Sequence, residues 1–148
     1  VEDGFDQDKN KYYEGIFTQG NGYFHVRGSF EEGLADAPQN EVYTRTMKSV
    51  TTEQQRHPLS KQGTFLPLMM GKHPFLEEVI INLPYFMRIE IAAGNEKLDM
   101  IRSDIRDYRR VLNMKTGELT RSFTWITASG EEIDVKFSRF ASLDEKRL

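Results

Sequence analysis

The alternation of hydrophobic and polar residues is clearest near the end of the chain, where two such runs follow one another. Their apolar positions are Leu119, Phe123 and Trp125 in the first run and Ile133, Val135 and Phe137 in the second. Period-two alternation is typical of half-buried strands, and the intervening "ASGE" predicts the turn of a hairpin. A similar turn sequence, "NMKTGEL", precedes the first run. We therefore predict a three-stranded meander over residues 108–140, with Phe123 and Trp125 in the core rather than stacked on a sugar.

A second alternating stretch, "FMRIEIAAGN", predicts another strand. Met87, Ile89 and Ile91 share one face, and charged residues alternate with them. This pattern favours a half-buried strand, and the Gly94-Asn95 pair that follows is typical of a turn.

The segment between these regions, "DMIRSDIRDYRRVL", has a mixed pattern. Its apolar residues Ile101, Ile105, Tyr108 and Leu112 are spaced 4, 3 and 4 apart, which is helical spacing. The end of the segment fits a strand equally well. One or two helical turns and a strand both remain open.

The first 63 residues are less regular. Residues 12–33 hold short apolar stretches broken by glycine, and residues 34–63 are polar without a sustained period. The polar stretch predicts a long loop or insert. Because little burial would offset its ordering entropy, we expect proteases to cut there first. The candidate cleavage sites are Arg45, Lys48, Arg56 and Lys61.

Composition narrows the class of protein. Of the 148 residues, 38% are hydrophobic and 29% are charged, which is typical of one globular domain with a core. The net charge of −3 disfavours nucleic-acid binding, since such proteins usually carry a basic excess. No apolar run approaches the roughly 20 residues of a membrane span, and the acidic N-terminus differs from a signal peptide. The absence of cysteine excludes thiolate metal sites and disulfides in this segment, and it fits a reducing, cytoplasmic compartment.

Candidate chemistry centres on residues 20–33, "GNGYFHVRGSFEEG". Gly20-Asn21-Gly22 lacks the third glycine of a dinucleotide fingerprint, because His25 stands in its place and no helix pattern follows. We predict instead a tight turn with positive φ at Gly22 or Asn21.

The adjacent Glu31 and Glu32 are candidates for a catalytic carboxylate pair. Paired glycosidase carboxylates stand roughly 5–9.5 Å apart and face each other across a sugar, whereas neighbours on an extended strand point to opposite faces. An acid/base role is therefore disfavoured. We expect Arg27 to form a bidentate bridge with one of these glutamates. Exposure of both glutamates to solvent is the alternative.

Other polar residues give weaker signals. The three histidines lack metal-ligand spacing, so no metal is expected. His25 alternates with Tyr23 and Arg27, which places it on a polar or interface face. The Arg109-Arg110 pair is expected to face solvent.

"GNGYFHVRGSFEEG" resembles the motif near the start of glycoside hydrolase family 65 proteins, which include the maltose, trehalose, kojibiose and nigerose phosphorylases. "GTFLPLMMGKHPFLEEVIINLPYFMRIEI" is similar to the family's next block, and "DYRRVLNMKTGELTRSFTW" and "SRFASLDEKRL" are similar to the two that follow. Four ordered blocks thus cover nearly the whole chain outside the insert. Two departures bear on substrate specificity. The family often has glycine in place of His25, and the polar insert at 34–63 is longer than the usual connection.

The resemblance implies a mainly β fold, an antiparallel β-sandwich of the super-sandwich, galactose-mutarotase-like type that is incomplete in this chain. Residues 1–148 would form part of an N-terminal domain, with a catalytic (α/α)6 barrel downstream. That barrel would carry the general-acid glutamate and the phosphate-binding residues, so no catalytic residue is assigned here. The full enzyme would cleave an α-glucosidic disaccharide or glucoside with inorganic phosphate as co-substrate and no other cofactor. The configuration would invert, releasing β-glucose 1-phosphate.

The residues assigned to the interface with the barrel are Asn21, Gly22, His25, Arg27, Glu31 and Glu32. The expected partners are the downstream domain, the sugar and phosphate, and further copies in a homo-oligomer, with neither nucleic acid nor membrane. Two alternatives stay open. The chain could belong to a family 65 hydrolase such as a trehalase, or be a stand-alone carbohydrate-binding or oligomerisation module, which would show an exposed aromatic platform such as Tyr85, Phe86 or Trp125. All three of these residues are more easily placed in a core.

Overall fold

Short and long β-strands are the main regular elements of the structure, and one short helix lies near the N-terminus. The structure is a computed structural model that describes residues 1–34, 60, 63–72 and 78–144. Its elements in chain order are β1 (Glu2–Asp3), a 3-10 turn (Gln7–Lys9), α1 (Asn10–Ile16), β2 (Gln19–Gly20), β3 (His25–Val26), β4 (Thr64–Gly71), β5 (Val79–Asn82), β6 (Ala92–Ala93), β7 (Glu96–Lys97), β8 (Asp104–Asn113), β9 (Glu118–Ile126) and β10 (Glu132–Arg139). The predicted mainly β, antiparallel fold is confirmed.

Sheet A contains the predicted meander. Its strand order is β1-β8-β9-β10, and all neighbours are antiparallel. In β9 the alternating residues Leu119, Phe123 and Trp125 are buried on one face, so the prediction that Trp125 lies in the core is confirmed. Gly117 and Gly130 stand at the two turns with φ of 71° and 84°, a left-handed conformation that glycine adopts at no steric cost.

A β-bulge in β8 explains the mixed pattern of the sequence. The pairing of β8 with β9 shifts register between Arg106 and Arg109, and Asp107 has a φ of 53°. Because the bulge inserts one extra residue, Ile105 and Tyr108 both face the core although they are three apart. The helical spacing therefore belongs to a bulged strand that begins at Asp104. A single hydrogen-bonded turn precedes it, in which the Ser103 N–H donates to the Asp99 carbonyl at 2.8 Å.

Sheet B has the order β2-β3-β4-β5 and is also antiparallel. The predicted turn at residues 20–22 joins β2 to β3, and Gly22 has a φ of 86°. The Asn21 side chain accepts hydrogen bonds from the backbone N–H groups of Tyr23 and Phe24 at 3.0 and 3.2 Å. The side chain that was predicted to sit in the turn therefore also stabilises it.

The strand predicted over residues 87–91 is not formed. Only β6 and β7 pair in this part of the described chain, around the Gly94-Asn95 turn that the sequence predicted. The Ile89 N–H donates to the Glu31 carbonyl at 2.9 Å, and the Ile89 side chain is half exposed. This segment therefore bonds to a loop rather than to a neighbouring strand, so the alternating pattern has no ladder to join.

Helix α1 was not predicted, because its seven residues are too short to establish a hydrophobic period. Tyr13 and Phe17 lie four apart and stack with ring centroids 5.8 Å apart, which is the contact expected one helical turn apart. Phe17 is buried, and Asn10 and Glu14 are completely buried on the same helix. The helix is thus held by one aromatic face and a buried polar pair.

The core lies on one face of sheet A. Its buried members are Phe30, Leu34, Leu98, Met100, Tyr108, Phe123 and Trp125. Of the polar insert predicted at 34–63, residues 35–59 and 61–62 lie outside the described residues, so the predicted loop and protease sites remain predictions. At its two ends, Leu34 and Ser60 are buried. No helix in the described part of the chain is long and apolar enough to cross a membrane.

Candidate functional site

The candidate site lies next to residues 20–33. Its centre is formed by three arginines on the core face of sheet A. Arg110 on β8 stands directly opposite Arg121 on β9, and Phe137 on β10 is opposite Arg121 on the other side. Arg139 projects two residues further along β10. We call these three arginines and the glutamates that contact them the arginine–glutamate cluster.

Each guanidinium of this cluster meets a carboxylate. Arg110 Nη2 lies 2.8 Å from Glu2 Oε2. Arg121 bonds to both adjacent glutamates, at 3.0 Å to Glu31 Oε2 and at 2.7 Å from its Nη1 to Glu32 Oε1. The remaining arginine, at position 139, lies 3.2 Å from the other oxygen of Glu31. Three carboxylates thus neutralise three guanidinium groups in a buried place where an unpaired charge would be costly.

Aromatic rings alternate with the guanidinium groups. The Arg110 Cζ atom lies 4.7 Å from the centroid of the Phe17 ring and 5.2 Å from that of Phe30. The Arg121 Cζ atom lies 4.3 Å from the centroid of the Phe30 ring and 4.5 Å from that of the Phe137 ring. Arginine stacks well on aromatic faces, so this column ties helix α1, the loop at Phe30 and β10 together.

The burial of the cluster changes proton affinities. Burial alone would lower the pKa of Arg121, but Glu32 and then Glu31 beside it hold that pKa above its ordinary value. Burial raises the pKa of the Tyr108 hydroxyl, which donates to Glu2 Oε2 at 3.1 Å. Burial likewise raises the pKa of Tyr85 to about 12, against the opposing effect of Arg139. Arg121 is therefore charged at neutral pH, and the two tyrosine hydroxyls are neutral donors.

The predicted bridge between Arg27 and a neighbouring glutamate is wrong. Arg27 lies 3.9 Å from Glu14 on helix α1 and donates to the Lys11 carbonyl at 3.2 Å. Glu31 and Glu32 belong to a bend rather than a strand, so their side chains do not point apart but converge on one guanidinium. The alternative, exposure of both glutamates to solvent, is also wrong, since both carboxylates are buried.

The arginine partners were missed, although the sequence carries a signal for them. Arg121 has the same strand parity as Phe123 and Trp125, and Arg139 continues the parity of Phe137. A charged residue at a core-facing position predicts a buried ion pair. Arg110 was expected to face solvent, and it is instead almost completely buried.

Gly28 permits the close approach of the loop to helix α1. A Cβ atom at this position would lie 2.6 Å from Phe17 Cβ and 3.1 Å from the Glu14 carbonyl oxygen. The Gly28 N–H donates to that same carbonyl at 2.8 Å, and its own carbonyl accepts from Arg110 at 2.8 Å. Only glycine fits between the helix and the cluster.

Glu14 forms a second buried polar centre. Its Oε1 atom accepts from Asn10 Nδ2 at 3.1 Å and from Ser60 Oγ at 2.6 Å, and Arg27 stands near its other oxygen. Ser60 lies at the returning end of the polar insert. Glu14 therefore links that end of the insert to helix α1.

The residues of the β2–β3 turn that were assigned to a domain interface are accessible. Gly22 is exposed, and Asn21 and His25 are half-buried. Asn21 Nδ2 donates to the Ser142 carbonyl at 2.7 Å, which holds the β2–β3 turn against the end of the described chain. These residues form a surface turn rather than a pocket.

The described residues leave little space beside the arginine–glutamate cluster. The cavity beside it has a volume of about 10 Å³, which is the space of a single water. No cluster of three or more potential metal ligands occurs among the residues that the structure describes. The paired charges and the small cavity favour a structural role for the cluster over a substrate-binding one.

Another cavity, of about 180 Å³, includes three phenylalanines in its lining, Phe24, Phe86 and Phe140. Phe86 is half exposed and Phe140 is largely exposed. The expectation that Phe86 lies in the core is thus wrong, whereas Tyr85 is half-buried, with its hydroxyl donating to the Ser29 carbonyl at 3.1 Å.

Comparison with known proteins gives a consistent picture. The model of "Glycosyl hydrolase family 65, N-terminal domain" matches residues 1–148. The chain is 29% identical over 145 residues to the alpha,alpha-trehalose phosphorylase of Thermoanaerobacter brockii, covering 97% of this chain and 18% of that protein. It is 29% identical over 144 residues to the maltose phosphorylase of Bacillus subtilis, covering 97% of this chain and 17% of the relative. With the kojibiose phosphorylase of Escherichia coli the identity is 28%, over 97% of this chain and 16% of the relative.

A solved structure from the human microbiome, assigned as a kojibiose phosphorylase, has the same fold. It superposes with a TM-score of 0.67 over 93% of this chain and 17% of that protein, at 24% sequence identity. The chain thus spans about a sixth of the length of the proteins it matches.

Proposed function

The chain belongs to glycosyl hydrolase family 65, as an N-terminal domain, and on that premise we propose that it is the non-catalytic N-terminal domain of a glycoside phosphorylase. The full enzyme would use inorganic phosphate to cleave an α-glucosidic disaccharide or glucoside and release β-glucose 1-phosphate with inversion. The observation that carries the proposal is that three relatives matched over 97% of this chain are phosphorylases by name. The resemblance of the four sequence blocks to family 65 is confirmed.

The arginine–glutamate cluster supports a scaffolding role for this segment. An inverting phosphorylase needs one acid to protonate the bridging oxygen, while phosphate attacks the opposite face of the sugar. Glu31 and Glu32 are poor candidates for that acid, because both carboxylates are paired with Arg121 and the cavity that the described residues form beside Glu31 has a volume of only about 10 Å³. In this proposal the acid and the phosphate site belong to a catalytic domain downstream.

The interface residues are part of the same proposal. Asn21, Gly22 and His25 form an accessible turn that suits contact with the catalytic domain. Arg27, Glu31 and Glu32 would act indirectly, by holding the loop behind that turn in place. We further propose a cytoplasmic homo-oligomer that needs no cofactor other than phosphate as co-substrate, in line with the absence of cysteine in this segment.

The test is a phosphorolysis assay on the full-length protein. Trehalose, maltose, kojibiose and nigerose are each incubated with and without inorganic phosphate, and the sugar products are resolved by anomer. We expect phosphate-dependent release of β-glucose 1-phosphate from one of them. Phosphate-independent release of glucose would instead identify a hydrolase, which is the alternative within the family. No reaction with any α-glucoside, combined with binding of the sugar, would favour a binding module.

A further inference from the structure

The hairpin of β4 and β5 displays an uncharged apolar surface. The two strands, Thr64–Gly71 and Val79–Asn82, contain no charged residue. Their exposed hydrophobic side chains are Leu68, Met69, Met70, Ile80 and Ile81. We call these five residues the hairpin patch. Consecutive residues point to opposite faces of a strand, so the patch is apolar on both faces of the hairpin.

Leu68 is the most exposed of these side chains, with 94% of its surface accessible. Its backbone has a φ of 70°, the left-handed region that a leucine rarely adopts. The strain coincides with a register shift in the pairing of β4 with β5, between Phe65 and Met70. Bulges of this kind re-aim a side chain. The left-handed backbone at this irregularity therefore goes together with an outward-facing leucine.

The base of the hairpin is firmly held. The Thr64 N–H donates to Asn82 Oδ1 at 2.9 Å, and the Leu83 N–H donates to the Thr64 carbonyl at 2.8 Å. Thr64 itself is completely buried. The strand that carries Leu68 is therefore anchored by hydrogen bonds at its first residue.

An uncharged, exposed strand pair invites edge-to-edge association unless something covers it. The relatives that match this chain extend over about five sixths of their length beyond the matched region. A neighbouring domain on the same polypeptide is present at high effective concentration, which favours it over a separate molecule as the cover of such a surface. We propose that the hairpin patch docks on the downstream catalytic domain of the same polypeptide, with Leu68 inserted into an apolar pocket of that domain. This inference rests on the proposed function, which supplies that domain.

The first test uses the sign of a stability change in the full-length protein. Leu68→Gly removes the strain and the apolar side chain together. If Leu68 is docked, the loss of the side chain dominates and the variant melts several degrees lower. The matched control is Asp107→Gly, because Asp107 is also exposed and also left-handed at a bulge, with a φ of 53°. If a variant only relieves backbone strain, its melting temperature stays unchanged or rises, and we expect this for Asp107→Gly. The same result for Leu68→Gly overturns the proposal.

The second test measures directly whether position 68 is accessible in the full-length protein. A cysteine introduced as Leu68→Cys in the full-length protein is treated with a maleimide, and the labelled peptide is identified by mass spectrometry. We expect labelling at least 10-fold slower in the folded protein than in denaturant, at every protein concentration. Labelling as fast as in denaturant shows an open surface and overturns the proposal. Slow labelling that becomes fast on dilution places a second copy on the patch and also overturns it.

The two proposals fail separately. If the phosphorolysis assay finds no glucose 1-phosphate while the introduced cysteine stays protected at all concentrations, docking within the chain stands and the assigned reaction is wrong. If glucose 1-phosphate forms and the introduced cysteine is freely labelled, the reaction stands and the docking is wrong.

Discussion

At the scale of single residues, the buried charges of sheet A are the decisive feature. Arg121 is in contact with two carboxylates and is stacked between the rings of Phe30 and Phe137. Its planar fork suits this arrangement, since a guanidinium bonds to carboxylates bidentately while its faces remain free for rings. A compact ammonium has neither property.

We therefore expect Arg121→Lys to destabilise the domain by about 3 kcal/mol, because lysine keeps the charge but leaves a buried carboxylate without its hydrogen bonds. The measurement is the apparent melting temperature of the full-length protein. Arg109→Lys is the matched control, because Arg109 is largely exposed and lies 3.7 Å from Asp3. That change should cost less than about 0.5 kcal/mol. Equal shifts for both variants would contradict the role given to the cluster.

Tyr85 makes stability depend on alkaline pH. Burial raises its pKa to about 12, whereas an unfolded tyrosine titrates near pH 10. Below about pH 10 both states hold the proton, and the contribution is fully present. Between about pH 10 and 12 the unfolded state loses its proton first, so stability falls by up to about 1.4 kcal/mol per pH unit.

Tyr85→Phe should remove this slope and, near neutral pH, cost about 1 kcal/mol for the lost hydrogen bond to the Ser29 carbonyl. Melting curves of both proteins from about pH 8 to about pH 11.5 span the window between the unfolded and folded pKa values. The difference in melting temperature between them should shrink as the pH rises through this window. A constant difference would show that Tyr85 is not protected from ionisation.

At the scale of elements, the packing of helix α1 against the loop at residues 28–33 depends on one glycine. Gly28 has no room for a Cβ atom because the Phe17 side chain and the Glu14 carbonyl occupy that space. Gly22 has a different requirement, since a Cβ there would meet nothing within 4 Å but the φ of 86° is left-handed. Close packing therefore requires glycine at position 28, whereas the backbone conformation favours it at position 22.

Gly28→Ala should accordingly be more harmful than Gly22→Ala. We expect about 1 kcal/mol for Gly22→Ala from the left-handed backbone, and more than about 2 kcal/mol for Gly28→Ala, because the helix has to move away from the loop. Both values come from melting of the full-length variants. Equal costs, or a tolerated Gly28→Ala, would show that the helix gives way easily.

At the scale of the whole molecule, the exposed hydrophobic side chains and the buried carboxylates favour the same role for this segment. Large hydrophobic side chains in separate parts of the described chain are exposed, among them Leu68, Met114 and Leu143, while both carboxylates of the candidate pair are tied to arginines. Such a segment is better suited to contact another domain than to catalyse a reaction by itself.

The isolated 148-residue chain should therefore self-associate and show no phosphorolysis. Light scattering measures the self-association, and release of glucose 1-phosphate measures the phosphorolysis. Uncovered apolar strands promote association, and the proposed acid and phosphate site would be absent. A monodisperse monomer with a sharp cooperative melt would argue for a complete domain, and turnover by this segment would place the active site within it.

The sequence by itself determined the features that depend on neighbours along the chain. The hairpin of β9 and β10, the burial of Trp125, and the turns at Gly22 and Gly94 all follow from strand alternation or backbone freedom. The family also followed from short ordered blocks. These features depend on residues that are close together in the sequence, so their patterns can be recognised without knowledge of the rest of the fold.

Only the tertiary structure decided which distant charges meet. Arg121 is about 90 residues from Glu31 and Glu32 in the sequence, and Arg27 was assigned to those glutamates because it stood nearby. Parity marked Arg121 as core-facing, but the choice of partner required the bend at residues 31–32, which turned both carboxylates toward one guanidinium. The bulge at Asp107 likewise made a strand look helical. Long-range electrostatic pairing and register shifts depend on how sheets and loops meet in space, and strand periodicity carries no information about that.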